Sequence, residues 1–298
     1  MQIEKKATLI SSSVALILVT LKLTVGIISG SVAVLASAID SLLDLVVSAF
    51  NYFALHNSDK EPDEMFNFGR KKLEPLAAVI EGTIISLSAL FILYEAISKM
   101  VQGSVITHLQ ASLGVMVISL IITAGLVVFL NIIAKQTNNM VIKADALHYK
   151  TDLLSNGAVL ASLAFIALTD YTFIDPLLGI GISIYMLYSA YPLIHEGIMM
   201  LLDAALEPEN VTKIQSILDN EIAINSYHDL RTRRSSSEIF ISVHIVFNVS
   251  TSLFDAHQVG DNIELSIIGL FPDNTVHALV HLDPYDDSQG SHEDYETI

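Results

Sequence analysis

The sequence predicts an α-helical polytopic membrane protein of six transmembrane helices followed by a small cytoplasmic α+β domain. Three observations carry that reading. Of the 298 residues, 52% are hydrophobic, gathered in runs that match the roughly 20 apolar residues a helix needs to cross a bilayer. The formal charge of −17 is uneven: from Asp203 onward there are 17 Asp and Glu against four Lys and Arg. Past Leu206 the long runs give way to short amphipathic segments.

Six spans follow in order: Ala7–Ile28, Val32–Leu55, Leu73–Met100, Ser112–Ala134, Ala144–Leu168 and Ile174–Leu202. The first follows Lys5 and Lys6 but lacks a short apolar core with a small-residue cleavage site, so it reads as a span and not a cleaved signal. Ile28–Ser31 and Thr169–Phe173 carry no Lys or Arg, whereas the opposite side carries Lys5, Lys6, Lys60, Arg70, Lys71, Lys72, Lys135 and Lys143. By the positive-inside rule both termini are expected in the cytoplasm, and chain length with the lack of a targeting sequence points to a prokaryotic cytoplasmic (inner) membrane. Lys22, inside the first span, is expected to snorkel toward the far interface.

The soluble part is expected over 206–285 after a membrane domain of 1–205, with an acidic, disordered tail at 286–298. Glu207-Pro208 opens a helix, since Pro suits a first turn. His228–Arg234 reads as a strand. In Glu238–Val249, strict alternation puts Ile239, Ile241, Val243, Ile245, Phe247 and Val249 on one face, the mark of a half-buried strand. Leu253–Leu270 reads as an amphipathic helix and Thr275–Leu282 as a last strand, with Phe271-Pro272 as the break between them. Helix, strand, strand, helix, strand is a small α+β domain.

No cysteine is present, which excludes disulfides and thiolate metal sites. The acidic surface argues against nucleic acid and against anionic lipid, and is compatible with a cationic partner. No His-Glu-x-x-His motif occurs, which disfavours an intramembrane metallohydrolase.

The second span contains Asp40 and Asp44 at i and i+4, on one helix face a turn apart. Ionised carboxylates in hydrocarbon cost several kcal/mol, and a close pair also repels itself. Either the pair is neutral and hydrogen-bonded within a bundle, or a divalent cation neutralises it. The fifth span repeats the spacing with His148 and Asp152. Three carboxylates and one imidazole suffice for a tetrahedral shell and suit zinc better than magnesium or calcium, which prefer more oxygens. In the soluble part, His244 lies on the polar face of its strand, His277, His281 and Asp283 share a face of the last strand, His257 sits on the helix and His228 opens the first strand. Each alone is an ordinary surface histidine; together they are the material of a second metal site.

With these residues assembled, the chain resembles the cation diffusion facilitator family, in its YiiP/FieF-like zinc-transporting branch, over nearly its whole length. The resemblance implies a metallochaperone-like cytoplasmic fold and a homodimer. It implies that Asp40, Asp44, His148 and Asp152 form the transport site of a Zn²⁺ and Cd²⁺ type. It implies that His228, His244, His257, His281 and Asp283 form a binuclear zinc site with Asp283 bridging, and that Lys72 and Asp203 form an interlocking salt bridge. His277 has no counterpart. The family's loop site between the second and third spans needs an Asp and two His. Here Asp63 remains but Phe66 and Arg70 stand at the histidine positions, so that site is expected to be absent.

The implied activity is proton-coupled efflux of Zn²⁺ by alternating access, without catalysis, since metal and protons compete for the same ligands. A family member exporting Fe²⁺, Mn²⁺ or several divalent cations is the nearest alternative. A membrane metal sensor that binds without transport is the alternative from another class.

Overall fold

The computed structural model describes residues 3–29, 32–102, 113–169 and 173–286. The expected tail, from residue 287 on, lies outside them. The chain divides into two compact units, Met1–Ile198 and Met199–Ile298.

The first unit is built from six helices: α1 (Ile3–Ser29), α2 (Val32–Ser58), α3 (Leu73–Gln102), α4 (Leu113–Thr137), α5 (Met140–Thr169) and α6 (Ile174–Leu201). Five are long and apolar enough to cross a membrane. The exception is α5, whose first half carries Lys143, Asp145, His148, Lys150 and Asp152. It is held by company instead, packing against α4 and α3. Leu126, Leu130 and Ile133 of α4 meet Val141, Ile142, Ala146 and Tyr149 of α5 in one buried cluster with Ala54 and Leu55 of α2. Outward-facing Leu16, Ile17, Leu43, Val46, Leu87, Phe91 and Ile121 stay exposed, as lipid-facing side chains must.

Two devices fix the helix positions. The α4–α5 connection is only Asn138 and Asn139. Asn138 takes a left-handed φ of 51°, which Asn tolerates, and the Asn139 side chain accepts the Val141 amide at 2.9 Å, capping α5. The second device is the close approach of α3 and α6. A Cβ on Gly197 would meet Val79 Cγ2 at 2.6 Å and the Pro75 carbonyl at 3.1 Å, so only glycine allows this spacing.

At the end of the bundle where α1 begins and α2 finishes, Asp59 takes Lys71 at 2.6 Å and Lys5 at 3.0 Å. Burial alone would raise its carboxyl, but the two ammonium groups outweigh that and hold it below the usual carboxylate range.

The second unit contains α7 (Pro208–Asp219), β1 (Ser226–Ser235), β2 (Glu238–Val246), α8 (Leu253–Gly269) and β3 (Thr275–Asp283). The sheet order is β1-β2-β3, with β1 antiparallel and β3 parallel to β2. The parallel pair requires a crossover, which α8 supplies. Ile239, Ile241, Val243 and Ile245 face inward against Ile214 and Leu218 of α7 and Ala256, Ile263 and Ile267 of α8. The predicted alternation ends earlier than the sequence suggests: Phe247 is buried but Val249, past the strand, is 80% exposed. Ser252 caps α8 by accepting the Asp255 amide at 3.2 Å.

Candidate metal centres

Within the membrane unit, α2 and α5 meet through side chains on facing turns. Ser48 and Tyr149 are hydrogen-bonded at 2.8 Å, both almost fully buried. That contact sets the rotation of α5, and the next residue back, His148, is thereby turned toward Asp44. The His148 Nε2 lies 3.2 Å from Asp44 Oδ1 and 3.6 Å from Asp152 Oδ2. One ligand atom each from Asp44, His148 and Asp152 lies within 4.8 Å of the others. Two carboxylates and an imidazole converging so closely could hold a divalent transition metal.

Asp40 does not join them. It is exposed, one turn before Asp44 on α2, and is not among the ligand atoms that converge. The structure therefore assembles a trio from the expected quartet. Lys22 departs from expectation in the opposite sense. Its ammonium does not snorkel but is buried, donating to Ser41 Oγ at 2.7 Å and to the Ser37 carbonyl at 3.4 Å. Hydroxyl and carbonyl acceptors on α2 serve it better than a reach to the interface.

Sequence reasoning passed over a further polar group in the same unit. Glu81 of α3 and Asp145 of α5 are 1% and 0% exposed. Asn51 of α2 lies between them, its Nδ2 donating to Glu81 Oε2 at 2.9 Å and to Asp145 Oδ1 at 3.4 Å. Both acids lie inside predicted spans, so the argument that exposed Asp40 and Asp44 to notice applies equally to them.

The loop before α3 is closed on itself. Asp63 Oδ1 accepts the amides of Met65 and Phe66 at 3.0 and 2.9 Å, its other oxygen pairs with Arg70, and the Arg70 guanidinium lies over the Phe66 ring at 4.3 Å. Arg70, helped by the Phe66 amide, holds the Asp63 carboxyl below its usual range. The residues standing at the loop-site positions are thus engaged with one another.

In the second unit the sheet register builds the cluster. His228 pairs with His244 across β1 and β2, and His244 with His281 across β2 and β3, forming a row of three imidazoles on adjacent strands. Ring centroids are 4.9 and 4.5 Å apart. A bulge between His228 and Arg231, with Asp229 at φ 52°, gives β1 its extra residue and leaves His228 in the row. Asp283 is two residues past His281 and therefore on the same face. Its Oδ2 faces His244 Nδ1 at 2.9 Å and His228 Nε2 at 3.5 Å, while Oδ1 faces His281 Nε2 at 3.1 Å. The two oxygens thus address different histidines.

His257 stands apart, on the exposed side of α8, where Asp261 lies 3.6 Å away. His277, unassigned from sequence, stacks on Phe240 with ring centroids 4.7 Å apart and reaches Glu238 at 3.7 Å. Asp203 accepts Arg233 at 3.1 Å within its own unit, and Lys72 lies in the turn leading to α3.

Comparison with known proteins agrees with this picture. The cation efflux transmembrane domain model matches residues 8–202, and the cation efflux protein cytoplasmic domain model matches residues 206–285. Protein p34 of Rickettsia rickettsii is 32% identical over 282 residues, 94% of this chain and 92% of its own. The cation-efflux pump FieF of Salmonella arizonae is 34% identical over 279 residues, again 94% of this chain and 92% of its own. A solved structure of the candidate zinc transporter CzrB is 30% identical and covers 28% of this chain and 100% of that one, at a TM-score of 0.26. With both family domains present in order along a multi-pass membrane chain, the protein belongs to the cation efflux, or cation diffusion facilitator, family of divalent metal transporters.

Proposed function

We propose that the chain is a homodimeric Zn²⁺/H⁺ antiporter that removes zinc from the cytosol, accepts Cd²⁺ as well, and has both termini on the cytosolic side. The observation that carries this reading is the convergence of Asp44, His148 and Asp152 on a common point between two helices. A mixed imidazole and carboxylate set favours Zn²⁺ over the hard cations that want oxygen alone. Ligation requires the carboxylates ionised and the imidazole neutral, so each metal ion that binds displaces protons and each proton that returns weakens the metal. Asp40, a turn away on the same face of α2, is the fourth ligand. It closes the shell when α2 moves against α5, and that movement is the switch between inward and outward openings.

In the cytoplasmic domain, His228, His244 and Asp283 Oδ2 would hold one zinc ion, and His281 with Asp283 Oδ1 would begin a second site. The separate facing of the two Asp283 oxygens supports a bridge between them. His257 would join the second site by swinging from the α8 surface. These ions would act as structural or sensory zinc, holding the domain in its dimerising form. Domain boundaries at 1–205 and 206–285 complete the proposal.

The test is Zn²⁺ uptake into inverted membrane vesicles under an imposed pH gradient. Uptake is expected to collapse when the gradient is dissipated, and His148→Ala and Asp152→Ala are each expected to abolish it. Uptake by either variant at the unsubstituted rate would overturn the site, and uptake indifferent to the gradient would overturn the coupling.

A further inference from the structure

The Asn51, Glu81 and Asp145 group is a second constellation, separate from the trio. Asp145 precedes His148 by three residues, and Asn51 follows Asp44 by seven. At 1.5 Å per residue these are steps of about 5 Å along α5 and about 10 Å along α2, toward the bundle end that bears Asp59. Three helices contribute one side chain each. All three side chains are buried to 1% or less exposure.

Their hydrogen-bond accounts do not close. Asn51 Nδ2 is used by both carboxylates, and Ser48 Oγ reaches Asp145 Oδ1 at 3.4 Å. That leaves Asn51 Oδ1, Glu81 Oε1 and Asp145 Oδ2 buried with no hydrogen-bond partner among the described residues. All three are acceptors. Buried polar atoms are otherwise satisfied in folded proteins, and two buried carboxylates without a cation carry a heavy desolvation penalty. The Ser11 hydroxyl also lies beside Asp145, but no Lys or Arg among the described residues is hydrogen-bonded to either acid, so the donors around the pair are neutral hydroxyls and one amide.

We infer that Glu81, Asp145 and the Asn51 carbonyl form a second, all-oxygen site for a hard divalent cation of the Mn²⁺ or Mg²⁺ class. Two carboxylates balance a double charge, and an amide oxygen is a usual third ligand for such ions, with water completing the shell. The absence of nitrogen and sulfur among the three ligands separates it from the imidazole-bearing trio, which selects a softer ion. Its position makes it a neighbouring station on the seam between α2, α3 and α5, where an occupying ion would also hold the three helices together.

The experiment uses the full-length protein in detergent, Mn²⁺ as the probe, and electron paramagnetic resonance to count bound Mn²⁺ per chain. Glu81→Gln and Asp145→Asn preserve shape, and each is expected to remove one Mn²⁺ per chain or weaken it by at least about tenfold. His148→Ala is expected to retain that ion, which separates this site from the transport trio. Asn51→Asp, which adds a third carboxylate, is expected to tighten Mn²⁺ binding. Unchanged Mn²⁺ number and affinity in both carboxyl variants would overturn the inference. So would an infrared band of a protonated carboxyl that persists with Mn²⁺ present and disappears in Glu81→Gln, since the missing donor would then be a proton.

Discussion

The two histidine-bearing clusters use the same ligand types on opposite scaffolds. In the membrane unit, Asp44, His148 and Asp152 come from two helices, and only the packing of α2 against α5 brings them together. In the C-terminal unit, His228, His244 and His281 are neighbours because hydrogen-bonded strands are, about 4.8 Å apart, and Asp283 joins them by the two-residue period of a strand. Sheet register cannot slip without turning every side chain to the other face, whereas packed helices can slide and tilt. The scaffold that can move carries the partial ligand set, with Asp40 left outside. The scaffold that cannot move holds three imidazoles against Asp283, with His257 left outside on α8.

The sharpest way to break this contrast is to remove Asp283, the carboxylate on which three imidazoles converge. Asp283→Ala is expected to weaken zinc at the cytoplasmic cluster by at least about 100-fold, the upper end of what losing a merely supporting partner costs. His257→Ala, removing a ring outside the row, is expected to cost less than a tenth of that. Calorimetric zinc titration of the full-length variants reads both, and equal losses would show that the row is not the tighter half.

The second prediction concerns selectivity in the helical cluster. His148→Asp makes it all-oxygen, and transport of Mn²⁺ relative to Zn²⁺ is expected to rise about tenfold. An unchanged ranking in vesicle competition assays would mean that the imidazole does not select.

Third, Gly197→Ala disturbs helix spacing without touching any ligand. Overpacking costs about 1–3 kcal/mol, partly offset by the roughly 1 kcal/mol that Ala gains over Gly inside a helix. The net expectation is a lower melting temperature of the bundle with zinc binding at the cytoplasmic cluster unaltered. Thermal unfolding followed with both readouts tests this.

The smallest effect is expected at Asp59. Its folded carboxyl titrates below the ordinary value of about 3.9, so its contribution is complete above that value and is lost as pH falls through the lowered one. Partly exposed ion pairs contribute less than about 1 kcal/mol, so Asp59→Asn is expected to flatten the acid limb of the stability curve only slightly. An acid limb identical in the two proteins would remove Asp59 from the account.

What was legible in the sequence follows the same division. Pairs at i and i+4 on one helix, and alternation along one strand, are fixed by local geometry, so the Asp44 level of α2, the His148–Asp152 pair and the faces of β2 and β3 could be read directly. The order of elements in the C-terminal unit was legible for the same reason. Contacts between elements were not. Which side of α5 meets α2 depends on Ser48 and Tyr149 finding one another, and the Asn51 bridge depends on the rotation of three helices at once. Asp40 and His257 satisfy the local pattern yet lie outside their clusters, because pattern specifies a face and not the distance to the neighbouring element. Lys22 was misjudged because snorkelling presumes that no acceptor is closer, and Ser41 is.

The polarity of α5 has a further consequence for biogenesis. A segment with five ionisable residues in its first half is a poor substrate for insertion by itself, yet it is tied to the apolar α4 by only two asparagines. The pair is therefore expected to enter the bilayer as a hairpin, with α4 carrying its partner across. The Asp44, His148 and Asp152 trio is assembled only once that hairpin docks beside α2, so a nascent chain is expected to lack it until its fold is complete.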